Sequence, residues 1–179
     1  MTLDGIITSA LAQLDRGSDE QLVTKYKDKF VQYANEAQQD LAKAFPLHRT
    51  ETVNLVDGKF YTTDLSRWAV RILNVIQKGN TVFFDHGGET GEIVCNATGA
   101  VSVKYRYLPN PMSNSSDKPD LPAHLHPLIV TYVVASERAS GDPTTQSGAA
   151  HYFQSYANQK RDLMQNGYGT PSSYKLKNY

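Results

Sequence analysis

Apolar residues recur at three- and four-residue steps near both ends of the chain and at every second position between them, which predicts helices flanking a β-rich middle. Leu3, Ile6, Ile7, Ala10, Leu11 and Leu14 share one helical face, so the chain opens with a short amphipathic helix that Gly17 should stop. Ser18-Asp19-Glu20-Gln21 has the form of a capping box and opens a second, longer helix. Its inward face reads Leu22, Tyr26, Phe30, Ala34, Ala37, Leu41 and Ala44, with Tyr33 alongside. Its outward face carries Lys25, Lys27, Asp28, Lys29, Glu36 and Asp40. Pro46 ends this helix, because the residue before a proline resists helical angles.

At Arg49 the period changes to two. Strands are expected over 51–56, 59–63, 69–77, 81–85, 92–96 and 101–107, with turns at Asp57-Gly58, Lys78-Gly79-Asn80, Gly87-Gly88 and Gly99. In the last strand Val101, Val103, Tyr105 and Tyr107 face a core while Ser102, Lys104 and Arg106 face water. The whole reads as an antiparallel meander. Residues 109–120, rich in Pro and Ser, form a linker long enough to be mobile.

From Leu121 to Met164 the pattern is that of a helical hairpin. Leu128 to Ala135 is apolar nearly all round and therefore buried on most sides, and Glu137 and Arg138 mark where this arm should meet water. Gly141 suits a left-handed helix end, Asp142 a cap and Pro143 a first helical position, so these three residues predict a tight corner. Ala149, Phe153, Tyr156 and Met164, with Ala150, Ala157 and Leu163 beside them, make the stripe of the second arm, which Asn166-Gly167 closes.

The fold class is thus α+β. An α-helical body is made of two N-terminal helices (1–48) and a C-terminal helical hairpin (121–166). A small antiparallel β-domain (49–108) is inserted between them, followed by the linker, and an extended, flexible tail (167–179) ends the chain.

Charge and cysteine content narrow the function. Eighteen basic and eighteen acidic side chains give zero formal charge, which argues against a protein that binds nucleic acid by neutralising phosphates. A single cysteine, Cys95, excludes an intramolecular disulfide and reads as a small core residue of a strand. The first residues lack the charged and apolar regions of a signal peptide, and no apolar run approaches the ~20 residues that span a bilayer. The chain therefore reads as an intracellular product, in which the sequons at Asn96 and Asn114 have no role.

Two arrangements invite a chemical reading. His124 and His126, with His151 later, could approach a metal, but no acidic or Cys ligand stands at a suitable spacing beside them. His126 precedes a proline at a helix entry and reads as a partial cap. Asp85-His86-Gly87-Gly88-Glu89-Thr90-Gly91-Glu92 gathers acids, a histidine and glycines, as hairpin turns do for backbone reasons. It lacks the Gly-Lys-Ser/Thr ending of a phosphate loop, and the chain has no Gly-x-Ser-x-Gly elbow. No catalytic, metal or cofactor residue is assigned on these grounds.

The wording of the closing helices adds a resemblance. Leu121-Pro122-Ala123-His124-Leu125-His126-Pro127-Leu128-Ile129-Val130, then Gly141-Asp142-Pro143 and Ala149-Ala150-His151-Tyr152-Phe153-Gln154, resembles the end of tailed-phage head-to-tail adaptor (connector) proteins. The order of the pieces carries the likeness: a Leu-Pro lead-in, a His-Pro-Leu start, an apolar helix, a Gly-Asp-Pro corner and a helix with paired aromatics. The resemblance implies a structural virion protein of the neck, not an enzyme. Such a protein forms a dodecameric ring between portal and tail or nozzle proteins, with an axial channel that DNA traverses without sequence-specific binding. Helical faces would then pack between copies and the β-domain would present loops to the next ring. It further implies a C-terminal segment lying along the portal, which makes Tyr168, Tyr174 and Tyr179 candidate anchors and Lys175 and Lys177 partners for acidic portal residues. Two other classes fit the residues alone: a small metal-dependent hydrolase or nuclease built on the Asp85 to Glu92 loop with His124 or His126, and a generic protein-interaction module.

Overall fold

In the computed structural model, residues 1–16, 20–141 and 143–166 are described, and they divide into two compact units. The first takes Met1–Phe45 and the described residues from Pro111 onward; the second is Pro46–Asn110.

The first unit is helical: α1 (Leu3–Gln13), α2 (Glu20–Ala44), α3 (His126–Ala139) and α4 (Pro143–Gln165). Helix α3 packs against all three of the others, as its all-round apolar surface requires. Leu128, Ile129, Val130, Val133, Val134 and Ala135 are buried there against Leu3, Ile6, Ile7, Ala10 and Leu11 of α1 and Phe30, Ala34, Ala37 and Leu41 of α2. Helix α4 meets α3 through aromatic edges, Tyr132 contacting both Phe153 and Tyr156 at centroid distances of 5.9 and 5.3 Å. Only part of the expected stripe is used: Ala149 and Tyr156 are buried, whereas Ala150, Ala157 and Met164 are exposed.

Helix α1 ends earlier than the glycine signal suggested. Asp15 adopts the left-handed conformation (φ 55°), its N–H reaching Ala12 O and that of Arg16 reaching Leu11 O, the paired bonds of a Schellman turn. The expected stop at Gly17, the Ser18 cap of α2, the Asp142 cap of the corner and the closing Gly167 lie outside the described residues.

The segment read as a mobile linker is held along the helices. Asn35 on α2 donates to Met112 O and accepts from Met112 N, and Gln38 accepts from Asp120 N. The same segment supplies Asp117 O and Ser115 O to the free N–H groups of Leu3 and Asp4, which open α1. Met112 and Pro119 are buried. Polar side chains inside a helix face thus do what proline content alone could not reveal.

The second unit contains β1 (Leu47–Leu55), β2 (Lys59–Tyr61), β3 (Ala69–Gln77), β4 (Asn80–Thr81), β5 (Phe84–His86), β6 (Glu92–Cys95) and β7 (Gly99–Tyr107). It is antiparallel but not a meander. β7 lies between β1 and β3 in a larger sheet ordered β1-β7-β3-β4, and β6 lies between β2 and β5 in a smaller one. Residues 81–85, expected as one strand, are divided between β4 and β5 at Val82-Phe83, where the chain crosses from one sheet to the other.

Turns sit where their residues require. Asp57-Gly58 and Lys78-Gly79 both carry positive φ at two successive positions, as a two-residue hairpin turn matching strand twist demands. Between the sheets Phe60, Ile72, Val75, Ile93, Val101 and Val103 form the core with Tyr105 and Cys95, whose thiol pKa is raised by burial.

Candidate interaction surfaces

In the helical unit the chemistry-bearing side chains are ion pairs rather than a reaction centre. Glu137, expected at the water boundary, is 5% exposed. Its carboxylate takes Arg16 Nη1 on Oε1 and Lys29 Nζ on Oε2, both at 2.8 Å. The ion pair with Glu137 raises the Lys29 pKa. A carboxylate can leave water when cations from two other segments meet it, and here they tie the turn after α1 and the middle of α2 to the end of α3.

Asp40, read as an outward charge, likewise has a structural partner. Its Oδ2 accepts from Tyr156 Oη and Lys160 Nζ, each at 2.6 Å. Burial raises the Asp40 pKa, but the hydrogen bonds from Lys160 and Tyr156 outweigh it and leave the carboxyl below its ordinary value. Tyr156 is raised in turn, by burial first and by Asp40 second.

The three histidines do not converge. His124 and His151 are exposed, whereas His126 is buried, its Nε2 2.9 Å from Leu121 O and its Nδ1 3.1 Å from the Met1 amino group. It caps no N–H of its own helix, correcting that expectation. Its Nε2 serves a carbonyl five residues back instead. Burial and the neighbouring amino group depress its pKa.

A His whose folded pKa lies below 6.5 and an Asp whose folded pKa lies below 3.8 each contribute stability that is present at neutral pH and lost as pH falls through the folded value. Urea unfolding should therefore show stability declining from pH 7 toward pH 5 through His126, with the Asp40 share lost only below about pH 4, and His126→Asn should flatten the first decline.

The Asp85 to Glu92 stretch is a hairpin between β5 and β6 built around a buried carboxylate. Glu92 pairs with Lys59 Nζ at 2.7 Å and accepts from Glu89 N, while Glu89 accepts from Tyr61 Oη. A Cβ on Gly87 would stand 2.0 Å from Glu92 Oε2, so a glycine is needed for that close approach. Among the described residues no three His, Cys, Asp or Glu side chains form a group able to hold a metal ion. Among those residues, too, no helix is long and apolar enough to cross a membrane.

A family model described as SU10 adaptor protein matches residues 1–173. The chain belongs to that family. It is a phage head-to-tail adaptor family, so the role is structural and the chain is a virion component. No curated protein matches the chain. The match takes in both units and Tyr168; Tyr174, Lys175, Lys177 and Tyr179 follow its end, and all five of these candidate anchors lie outside the described residues.

For an adaptor the informative surface is exposed apolar area, and the β-unit carries much of it. Trp68, Phe83 and Val56 are 77%, 74% and 72% exposed, and Val70, Leu73, Val94 and Leu108 are also exposed. The sequence pattern did not reveal them. Val70 and Leu73 lie at the two register shifts of β3 against β7, where an extra residue is pushed out of the ladder. Trp68 precedes that strand in a stretch without period.

Proposed function

We propose that the chain is the adaptor ring of the virion neck, assembling as a dodecamer between the portal protein and tail or nozzle proteins around an axial channel through which DNA passes without sequence-specific binding. The observation that carries this reading is the family match over residues 1–173, nearly the whole chain. The protein works by assembly and not by catalysis. Its charged side chains support that reading, since Glu137, Asp40 and Glu92 are each engaged with cations that hold elements together. Helical faces pack between copies, and loops of the β-unit, such as the exposed hairpin end at Lys78-Gly79, meet the next ring.

In this reading residues 167–179 attach to the portal, Tyr168, Tyr174 and Tyr179 filling apolar sockets and Lys175 and Lys177 pairing with acidic groups. Deleting 167–179 is expected to leave the melting temperature of the isolated protein unchanged and to reduce its retention on portal rings in a pull-down by at least about tenfold, the effect of losing ~1.4 kcal/mol. Equal retention would assign the portal contact to the helical unit. Electron microscopy of purified necks tests the ring and its position directly.

A further inference from the structure

The two sheets of the β-unit present outward faces of opposite charge. Side chains alternate across a strand, so on the larger sheet the residues that turn away from the core are those in register with Ser102, Lys104 and Arg106. The register aligns His48, Arg106 and Arg71 in one row across β1, β7 and β3, with Thr50, Lys104 and Asn74 in the next. These rows hold three cations, Arg106, Arg71 and Lys104, beside His48, and no acid. Burial first, and then Lys104 and Arg106, depress the His48 pKa, as cations beside a histidine do. Leu73 in β3, with Trp68 and Leu108 just beyond the ends of β3 and β7, adds exposed apolar area.

The smaller sheet reads the other way. Its outward row of Lys59, Val94 and Asp85 is followed by Glu92 and Tyr61. Lys59 is engaged by Glu92, which leaves Asp85 and Glu89 as the surplus charge, with Phe83 and Val94 exposed beside them. Because the two sheets pack across a common core, these faces point in opposite directions.

We infer that the basic face of the larger sheet docks on the acidic face of the smaller sheet of a second copy, head to tail. An interface between unlike faces propagates from copy to copy, and it closes into a ring when the rotation permits. This deepens the ring reading and rests on it. Both faces combine exposed aromatic or aliphatic groups with charges of opposite sign, the combination that sets register and partner in a protein interface. The aliphatic groups beside the cations fit a protein surface better than a phosphate backbone.

Two full-length variants test the inference, Thr50→Cys on the basic face and Asn96→Cys beside Phe83 on the acidic face; both positions are exposed. Cys95 is buried and its thiol pKa is raised, so it competes little. Under mild oxidation at high protein concentration, the mixture should form disulfide dimers at least tenfold above either variant alone. The yield should fall at ~1 M salt, where the screening length is about 3 Å. Lys104→Glu in the Thr50→Cys chain should suppress linking, and Asp85→Lys in the Asn96→Cys chain should restore it. Unchanged circular-dichroism melts would show that the folds are intact.

Thr50→Cys chains linking to each other would overturn the head-to-tail geometry. Multimers in sedimentation without mixed cross-links would overturn the assigned faces and leave the ring standing. Single chains at every concentration and on portal rings would defeat both. Retention of duplex DNA that Arg71→Glu and Lys104→Glu abolish, with no cross-linking, would give the basic face to nucleic acid instead.

Discussion

Replacing Val133 by aspartate is expected to unfold the helical unit. Val133 is fully buried on α3, the helix that the other three surround. The substitution forfeits ~1.5 to 3 kcal/mol of apolar burial and adds a carboxylate whose burial costs several kcal/mol more. Glu137, one turn further on, is held in such a setting by Arg16 and Lys29, which meet its carboxylate. The sum is comparable with the ~5 to 15 kcal/mol that holds a typical domain together. Thermal melts followed by circular dichroism should show loss of the helical transition. Gly88→Ala serves as the control, since a Cβ there meets nothing within 4 Å and exposed changes of that kind stay within about 0.5 kcal/mol. Equal melting temperatures for the two variants would remove α3 from the centre of the unit.

Phe60→Ala should be nearly as damaging to the β-unit. Phe60 sits on the three-residue strand β2, pairs with Ile93 and is buried between the sheets. So short a strand has few ladder bonds, and its packing holds it in place. Truncating a buried Phe costs about 3 to 5 kcal/mol. Hydrogen exchange at the amides of Val101, Val103 and Tyr105 is the measurement to use, because Trp68 is already exposed and its fluorescence would change little on unfolding. Protection at those amides should fall by two orders of magnitude or more, at ~1.4 kcal/mol per tenfold. Unchanged protection would mean that the core does not depend on β2. Changes in the neighbouring hairpin are not all neutral either: Gly87→Ala would displace Glu92 from Lys59.

What can be read along the chain is what depends on near neighbours. The face of α1, the stop of α2 before Pro46, the two hairpin turns and the alternation of β7 follow from local period and backbone preference, and all four stand in the structure. The order of motifs in the closing helices likewise pointed to the adaptor family, which the match over 1–173 establishes. The Schellman turn at Asp15 was hidden because an aspartate can take the left-handed conformation that glycine more often signals.

Tertiary structure decided whatever depends on a distant partner. Glu137 read as a wet residue because a lone carboxylate is not buried, and it became a buried one through Arg16, 121 residues away in the chain. Asn35 and Gln38 looked like ordinary polar positions until they held the backbone of Met112 and Asp120. The place of β7 between β1 and β3, the crossing at Val82-Phe83 and the bulges that expose Val70 and Leu73 are choices of pairing and register. A period of two says that a strand exists and which residues share a face. It does not say which strand lies beside it, so the opposed basic and acidic faces of the β-unit came into view only with the fold.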